Sequence, residues 1–456
     1  MKILLINPPA REIHYEPIVL PPLGLLYLAA LLMKNSHQVE VLDCFALNLT
    51  WEEYRNRLSP FDVIGITGLT PTIDSTFRAL RHARDFSRHL VLGGPHATAS
   101  IDTIFRDCPE VDYVIQREAE YSFLELVTEI EAGQGNEDRV PGVATRTTVN
   151  PPGDYITSLD QLPFPARQLV PWTDYRYPLF GSGAVTSVIT SRGCPYSCIF
   201  CDKSICGSRW RARSVANVME ELFQIKHDFG ITNIIFYDDL FTLNRKRVLD
   251  LCCNIIQAKL DIRWKCEGTV DSVDEEMLEV MKKSGCQVIA YGVESAHQKS
   301  LDYLNKPSKV SQAGPAFAMT RRAGIKTMGY FLLGLPPESY SESEQTIELA
   351  LQLKADFAQF SILSPTPGTA LYKQAQKKGW YREIKAHNLF DKDLQRPVVI
   401  SENWSEENLE KIIKQAQRRF YFRPSFLIKS ITEVSSLGEF TEKFKLFQRF
   451  MKYLFR

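Results

Sequence analysis

Short apolar runs alternate twice with helix-patterned segments, and this alternation constrains the chain more than any other feature. In residues 1–134 the strand-like runs are Lys2–Asn7, Val39–Asp43, Val63–Thr67, Leu90–Leu92 and Val111–Ile115. Helical stretches lie between or after them at Pro22–Asn35, Trp51–Leu58, Ile73–Phe86, Ile101–Arg106 and Phe123–Glu131. Apolar strands that alternate with helices bury both faces as a parallel sheet covered on two sides. The expectation is an α/β, doubly wound, Rossmann-like domain. Such sheets bind ligands beyond the carboxyl ends of their strands. Those ends read NPP, DC, TGLTPT, GGPHAT and QREAE.

Residues 135–180 are punctuated by Pro141, Pro151, Pro152, Pro163, Pro165, Pro171 and Pro178. They read as a connector, wrapped on the surface because Trp172 and several tyrosines need cover. The alternation resumes at Val185. Strand runs at Val185–Ser191, Asn233–Tyr237, Arg263–Glu267, Val288–Val293, Lys326–Leu333 and Ala358–Leu363 are each followed by helical sequence. Six such units within 181–384 suit a partial barrel better than a second small sheet. Residues 385–456 are helix-like, basic and aromatic, a small C-terminal helical segment.

The 456 residues are 44% hydrophobic and 24% charged, which excludes a largely disordered chain. Lys+Arg and Asp+Glu are both 54, and a zero balance argues against a nucleic-acid binder. The apolar start, broken at Pro8-Pro9, is no signal peptide, and no apolar run is long enough to span a membrane. The expected location is cytoplasmic. Ten cysteines in such a chain point to metal binding or catalysis rather than to disulfides.

Three of them cluster where the sixth strand-like run, Val185–Ser191, opens into SRGCPYSCIFC. Cys194, Cys198 and Cys201 have the spacing C-x3-C-x2-C. Three thiolates on one tight loop can hold three irons of a [4Fe-4S] cluster and leave the fourth iron open. The alternative is a structural zinc site with Cys206 as fourth ligand, but C-x3-C is not a usual zinc step. Asp238 and Asp239 end the next strand run. Asp238 is a candidate acid or base, or a hydrogen-bonded cap before the helix at Arg245. Arg209, Arg211 and Arg213 could hold a carboxylate or phosphate, or be solvated. Cys266 is a candidate hydrogen donor if it faces the cavity.

The three-cysteine loop, with Phe200 before its last cysteine, resembles the radical S-adenosylmethionine (radical SAM) superfamily. The resemblance implies a partial (β/α)6 barrel, with SAM bound to the open iron through its amino and carboxylate groups. YGVESA looks like the family's Gly-x-Glu element, which would put Gly292, Glu294 and Ser295 at the methionine ammonium, although Ser295 or Glu294 could instead cap a helix. SPTPGTALY resembles a subgroup element whose backbone at Pro365 would lie near adenine. Arg213 is a candidate for the SAM carboxylate.

The preceding domain resembles the cobalamin-binding domain of class B radical SAM enzymes, through PPLGLLYLAALL, DVIGITGLTPT and GGPHAT. The D-x-H-x-x-G signature of a lower-axial histidine is absent, as it generally is in this class. Gly68, Leu69, Thr70 and Thr72 would lie against the corrin, and Gly93, Gly94 and His96 along the nucleotide tail. His96 is not proposed as a cobalt ligand. The family's Gly-Glu-Gly-Glu after the fifth strand is here Arg117-Glu118-Ala119-Glu120. Glu118 and Glu120 persist while both glycines are gone.

The implied function is methylation of an unactivated carbon through a 5′-deoxyadenosyl radical and methylcobalamin. The alternative is a non-methylating radical enzyme, such as a magnesium-protoporphyrin ester cyclase. The implied partners are a small-molecule substrate and an electron donor such as a flavodoxin or ferredoxin, with no nucleic acid. The basic, aromatic tail could pack on the barrel or touch a membrane surface weakly.

Overall fold

The structure, a computed structural model, describes residues 1–9, 18–181, 183–385, 395–424, 426–428 and 448. The N-terminal strands are β1 (Lys2–Asn7), β2 (Gln38–Asp43), β3 (Phe61–Thr67), β4 (Ser87–Gly93), β5 (Tyr113–Ile115) and β6 (Val143–Ala144). Their order is β2-β1-β3-β4-β5-β6. The first five are parallel, so the doubly wound expectation is met. β6 comes from the connector and runs antiparallel to β5, which makes the sheet mixed. A two-residue strand carries no readable alternation, and so the sequence pattern did not reveal it.

The sheet is covered by α1 (Leu23–Lys34) and α6 (Glu120–Ala132) on one face. On the other lie α2 (Trp51–Arg57), α3 (Ile73–Ala83), α4 (Pro95–Ala99) and α5 (Ile101–Asp107). Strand alternation sorts the core: Ile3, Leu5 and Val63 pack with α1 and α6, whereas Leu4, Ile6 and Ile64 pack with α2 and α3. The chain reverses direction of winding between β1 and β3, where ligand crevices form in such sheets.

The second sheet is built from β7 (Val185–Val188), then, after a small hairpin of β8 (Ser191–Arg192) and β9 (Arg211–Ala212), β10 (Asn233–Phe236), β11 (Arg263–Gly268), β12 (Cys286–Glu294), β13 (Lys326–Leu333) and β14 (Phe357–Ile362). All six strands are parallel, in sequence order from β7 at one edge to β14 at the other. This is the partial barrel. Its helices are α7 (Val215–Phe229), α8 (Arg245–Gln257), α9 (Glu275–Lys283), α10 (Gln298–Tyr303), α11 (Val310–Arg322), α12 (Tyr340–Gln352) and α13 (Ala370–Lys377). A hairpin and α14 (Glu406–Tyr421) follow, and α14 packs on α12 and β14. The rest of the basic, aromatic tail lies outside the described residues.

In β11 the two-residue period turns Trp264 and Cys266 outward into the helix-packed core and leaves Lys265 and Glu267 for the lumen. Cys266 is therefore no cavity thiol. It is fully buried in the helix layer beside Cys286, and burial pushes its thiol far up. Lys265 pairs with Glu267, which also accepts a hydrogen bond from the Tyr330 hydroxyl at 3.0 Å.

The connector joins the two sheets. Ile156, Leu159, Leu162, Tyr175 and Phe180 share one core with Leu23, Leu26 and Tyr27 of the first domain and with Val185 and Ile235 of the barrel. The Tyr175 hydroxyl donates to Asp43 at 2.8 Å, and Arg167 pairs with Glu221 of α7 at 2.6 Å, both buried.

Candidate active site

The three cysteines lie on the loop between β8 and β9. Gly193, just before Cys194, has φ +83°, and a Cβ there would collide with the Arg209 carbonyl, so the turn requires glycine. The loop is pinned from several elements. Gly193 N–H donates to Asp239 Oδ2 at 3.0 Å, Ile199 N–H to the Leu304 carbonyl at 3.0 Å, and Leu371 N–H to the Ile199 carbonyl at 2.9 Å. Asn305 Nδ2 reaches the Ser197 carbonyl at 3.0 Å, and Lys203 Nζ the Cys194 carbonyl at 3.0 Å. Phe200 packs against the buried Leu304, Leu335 and Leu371.

All three thiols are free. Burial pushes Cys198 up and Cys201 up to about 11, with the neighbouring cysteines adding to both. Thiolates on so short a loop are the ligands a metal centre takes. Among the described residues, no group of three or more His, Cys, Asp or Glu is gathered around a single ion position.

The aspartates behind the loop have other work than acid–base chemistry. Asp238 is fully buried and accepts from Thr190 N–H at 2.6 Å, Thr190 Oγ1 at 2.5 Å and Ser191 Oγ at 2.7 Å. It holds the chain leading into β8 and does not cap α8, whose cap is Asn244. Burial raises its pKa, and no side of it is open to substrate. Arg213 is likewise enclosed. Its guanidinium binds Glu221, Asn217 Oδ1 at 2.7 Å and the Ile189 carbonyl at 3.0 Å, so it is not available to a SAM carboxylate.

At the end of β12, Glu294 has φ +66° and pairs with Lys306 Nζ at 2.7 Å. A Cβ at Gly292 would stand 2.6 Å from both partners, so glycine there makes room for the pair. Burial pulls the Lys306 pKa down, but Glu294 and the nearby cluster thiols outweigh it and the net shift is upward. This places an anion and a cation beside the cysteine loop, complementary to a zwitterionic amino acid. Lys306 was not singled out from the sequence, because nothing local marks a lysine whose partner is 12 residues away. Ser295, in contrast, is fully buried and donates to Glu338 at 2.5 Å, together with Ser300 and Ser343. It fixes the turn after Glu294 and does not face the cavity.

Pro365 is buried in the turn after β14. At its tip, Gly368 has φ +88°, and its Cβ position lies 3.0 Å from Ala99 of the first domain and 3.4 Å from Asp202. The turn therefore touches both the first domain and the cluster loop.

Across the interface, β3 and β4 end in two interlocked loops. Gly68 N–H donates to the Gly93 carbonyl at 2.9 Å, and His96 N–H to the Gly68 carbonyl at 3.1 Å. Gly94 has φ +100°, and a Cβ there would approach the Gly68 carbonyl and Thr67 Oγ1 at 2.8 Å. His96 Nδ1 lies 3.1 Å from Thr70 Oγ1, and burial lowers its pKa. Leu69 is half exposed, and Thr70–Thr72 form a single 3-10 turn.

A cavity of about 510 Å³ joins the two halves. From the first domain come Gly24, Gly65, Gly93, Gly94 and the aliphatic Leu5, Leu28 and Val91; from the barrel come Cys194, Cys201, Cys206, Tyr237 and Asp239. At Gly24 and Gly93 a Cβ would meet nothing within 4 Å, so both leave open space in the wall.

Glu118 and Glu120 line this cavity and are buried in ion pairs at the interface. Glu118 accepts from Arg192 at 3.0 Å, Arg211 at 2.7 Å and Ile156 N–H at 2.9 Å, and Glu120 from Arg192 at 2.6 Å. Arg117, where the resembled family has glycine, takes φ +59°.

Residues 188–350 match the profile of the radical SAM superfamily, and residues 17–127 match the B12 binding domain. An uncharacterized methyltransferase of Pyrococcus horikoshii is 34% identical over 95% of both chains. The chain belongs to the cobalamin-binding radical SAM family. An anaerobic magnesium-protoporphyrin IX monomethyl ester cyclase of Rubrivivax gelatinosus is 27% identical over 89% of this chain and 75% of its own. Among solved structures, the radical SAM methyltransferase TsrM from Kitasatospora setae, with cobalamin and [4Fe-4S] cluster bound, has a similar fold. Its TM-score is 0.74 at 17% identity, over 93% of this chain and 89% of that one. The cobalamin-dependent SAM radical enzyme OxsB also scores 0.74, at 18% identity, over 99% and 71%. The family's cofactors are thus a [4Fe-4S] cluster, SAM and cobalamin. As a family member the chain is a radical SAM enzyme, with a small-molecule substrate and a need for a reductant. No helix among the described residues is long and apolar enough to cross a membrane.

Proposed function

We propose that this chain is a cobalamin-dependent methyltransferase acting on an unactivated carbon of a small molecule. The observation that carries this reading is the shared cavity, bounded by the glycine-lined strand ends of one domain and by the cysteine loop of the other. When bound, the cluster with SAM supplies a carbon-centred radical and the corrinoid supplies the methyl group.

The chain's own residues hold and orient these groups. Cys194, Cys198 and Cys201 would ligate the cluster. Glu294 would take the ammonium of the SAM methionine and Lys306 its carboxylate, with Gly292 providing clearance. The backbone at Pro365 would lie beside adenine. The interlocked loops with Gly68, Leu69, Gly93 and Gly94 would seat the corrinoid, and the aliphatic slot of Leu5, Leu28 and Val91 suits the flat end of its nucleotide tail. Lys265, Glu267 and Tyr330 give a substrate a polar contact in the barrel lumen. Electrons come from a flavodoxin or ferredoxin.

The test uses full-length protein, reconstituted anaerobically with iron, sulfide and cobalamin, then given reductant and methyl-labelled SAM. Label on the corrinoid with stoichiometric S-adenosylhomocysteine is the expected result. 5′-Deoxyadenosine without S-adenosylhomocysteine would overturn methyl transfer in favour of the cyclase-type reaction, which the Rubrivivax relative makes the second reading.

A further inference from the structure

The buried charges at the domain interface do more than join two surfaces. Arg192 and Arg211 face each other across β8 and β9, at the base of the hairpin that carries the three cysteines. Two guanidinium groups so placed repel. Glu118, from the other domain, accepts from both, Arg192 on one carboxylate oxygen and Arg211 on the other. Glu120 takes a second nitrogen of Arg192. The four side chains are 1–7% exposed, and their formal charges cancel. Arg192 also lies over the Tyr27 ring, 5.2 Å from its centre, and Arg211 over Tyr155 at 5.1 Å, so aromatic faces enclose the group.

Two consequences follow from this placement. The base of the cysteine hairpin, at Arg192 two residues before Cys194, is closed by a carboxylate of the neighbouring domain. And the net charge beside the cluster site depends on that carboxylate, in a buried setting where charge acts over distance with little screening. The potential of an iron–sulfur cluster responds to just such nearby charge.

We propose that Glu118, supported by Glu120, is a positioning residue for the cluster loop. It holds the β8–β9 hairpin closed and cancels the arginine charge beside the cluster, so the first domain sets the cluster's electrostatic environment. The proposal rests on the two-cofactor reading above, and it gives the two carboxylates of the Arg117–Glu120 segment a role other than contact with the corrinoid.

The experiment compares wild type, Glu118→Gln, Glu118→Asp, Glu120→Gln and the double variant Glu118→Gln/Arg211→Gln, all full-length and reconstituted with iron, sulfide and cobalamin. Readouts are iron content, corrinoid absorbance, the electron paramagnetic resonance signal of the reduced cluster, and its midpoint potential. In Glu118→Gln the iron content is expected to hold while the potential moves positive and the resonance signal shifts. Glu120→Gln and Glu118→Asp should shift less in the same direction, and the double variant should move back toward wild type as the charge balance returns. A lower melting temperature with wild-type potential and signal would overturn the proposal and leave these pairs as interface contacts only. If Glu118→Gln does not fold, unshifted potentials in Glu118→Asp and Glu120→Gln would overturn it equally. Wild type that takes up no cluster or no corrinoid would defeat the two-cofactor reading itself, a result separate from failure of the variants.

Discussion

At the carboxyl ends of the first sheet the cavity wall is made of what is missing. Gly24 and Gly93 leave open space, and the aliphatic Leu5, Leu28 and Val91 lie in the same wall. At the carboxyl ends of the barrel the site is made of what is present: three thiols on a loop tied down from several elements, and beside it the Glu294–Lys306 pair. A large, mostly preformed cofactor is accommodated by shape. A metal cluster and a zwitterion are held by donors and charge. The difference implies that single substitutions away from the Glu118–Arg192–Arg211 group act on one half without the other.

The largest effect tests that independence directly. Cys198→Ala removes one of three ligands, and reductive cleavage of SAM should fall by more than about 100-fold, beyond the usual effect of losing a supporting residue of a metal site. Iron analysis should show the loss, while corrinoid absorbance after gel filtration stays. Loss of both would mean that the corrinoid seat depends on the cluster loop, and the contrast between the halves would break.

Next comes Lys306→Met. It leaves Glu294 buried and without its partner, and breaking a buried pair costs roughly 3–5 kcal/mol. Denaturant unfolding of the cluster-free protein should report a loss of that order. Glu294→Gln/Lys306→Met should recover most of the stability but not SAM affinity. Equal stability of both variants with wild type would remove the pair from the working parts of the site.

In the first domain the corresponding change adds atoms. A side chain at Gly93 would project into open cavity, and φ there is not in the left-handed region, so Gly93→Leu should fold. Filling a preformed seat costs about 1–3 kcal/mol, or about 5–150-fold in corrinoid affinity. Equilibrium binding of hydroxocobalamin measures it, with the iron–sulfur band unchanged as the internal control. Undiminished affinity would place the corrinoid elsewhere.

The same contrast explains what could be read in the sequence. Strand and helix periods are local, so both sheets and the barrel topology were legible, and the cysteine spacing is a one-loop property. Partners distant along the chain were not. Glu118 and Glu120 were expected at the corrinoid and do line the cavity, but that arginines 72–93 residues away engage them was not readable. Ser295 was expected at SAM and is turned to Glu338, 43 residues on. Arg213 and Asp238 carry the residue types of a working site, yet burial and saturated hydrogen bonding make them structural. Burial of a polar side chain depends on tertiary packing, which residue type and spacing do not encode.

One position sits between the two readings. Arg117 stands where the resembled family has glycine, and its φ of +59° shows that the conformational demand of that glycine persists. Left-handed backbone costs a non-glycine residue roughly 1–2 kcal/mol. Against this, the Arg117 guanidinium lies 4.8 Å from the centre of the Tyr155 ring, a contact worth about 0.5–1 kcal/mol at partly exposed sites. Glycine also gains freedom in the unfolded chain, roughly 0.5–1 kcal/mol. These terms nearly cancel, so Arg117→Gly should change stability by less than about 1 kcal/mol. Its N–H would still reach Thr98 Oγ1, now 2.9 Å away. Because Arg117 lines the cavity, removing its side chain should leave corrinoid affinity equal or higher. A fall in affinity would show that the arginine side chain itself contacts the corrinoid, and that this part of the first domain binds by presence after all.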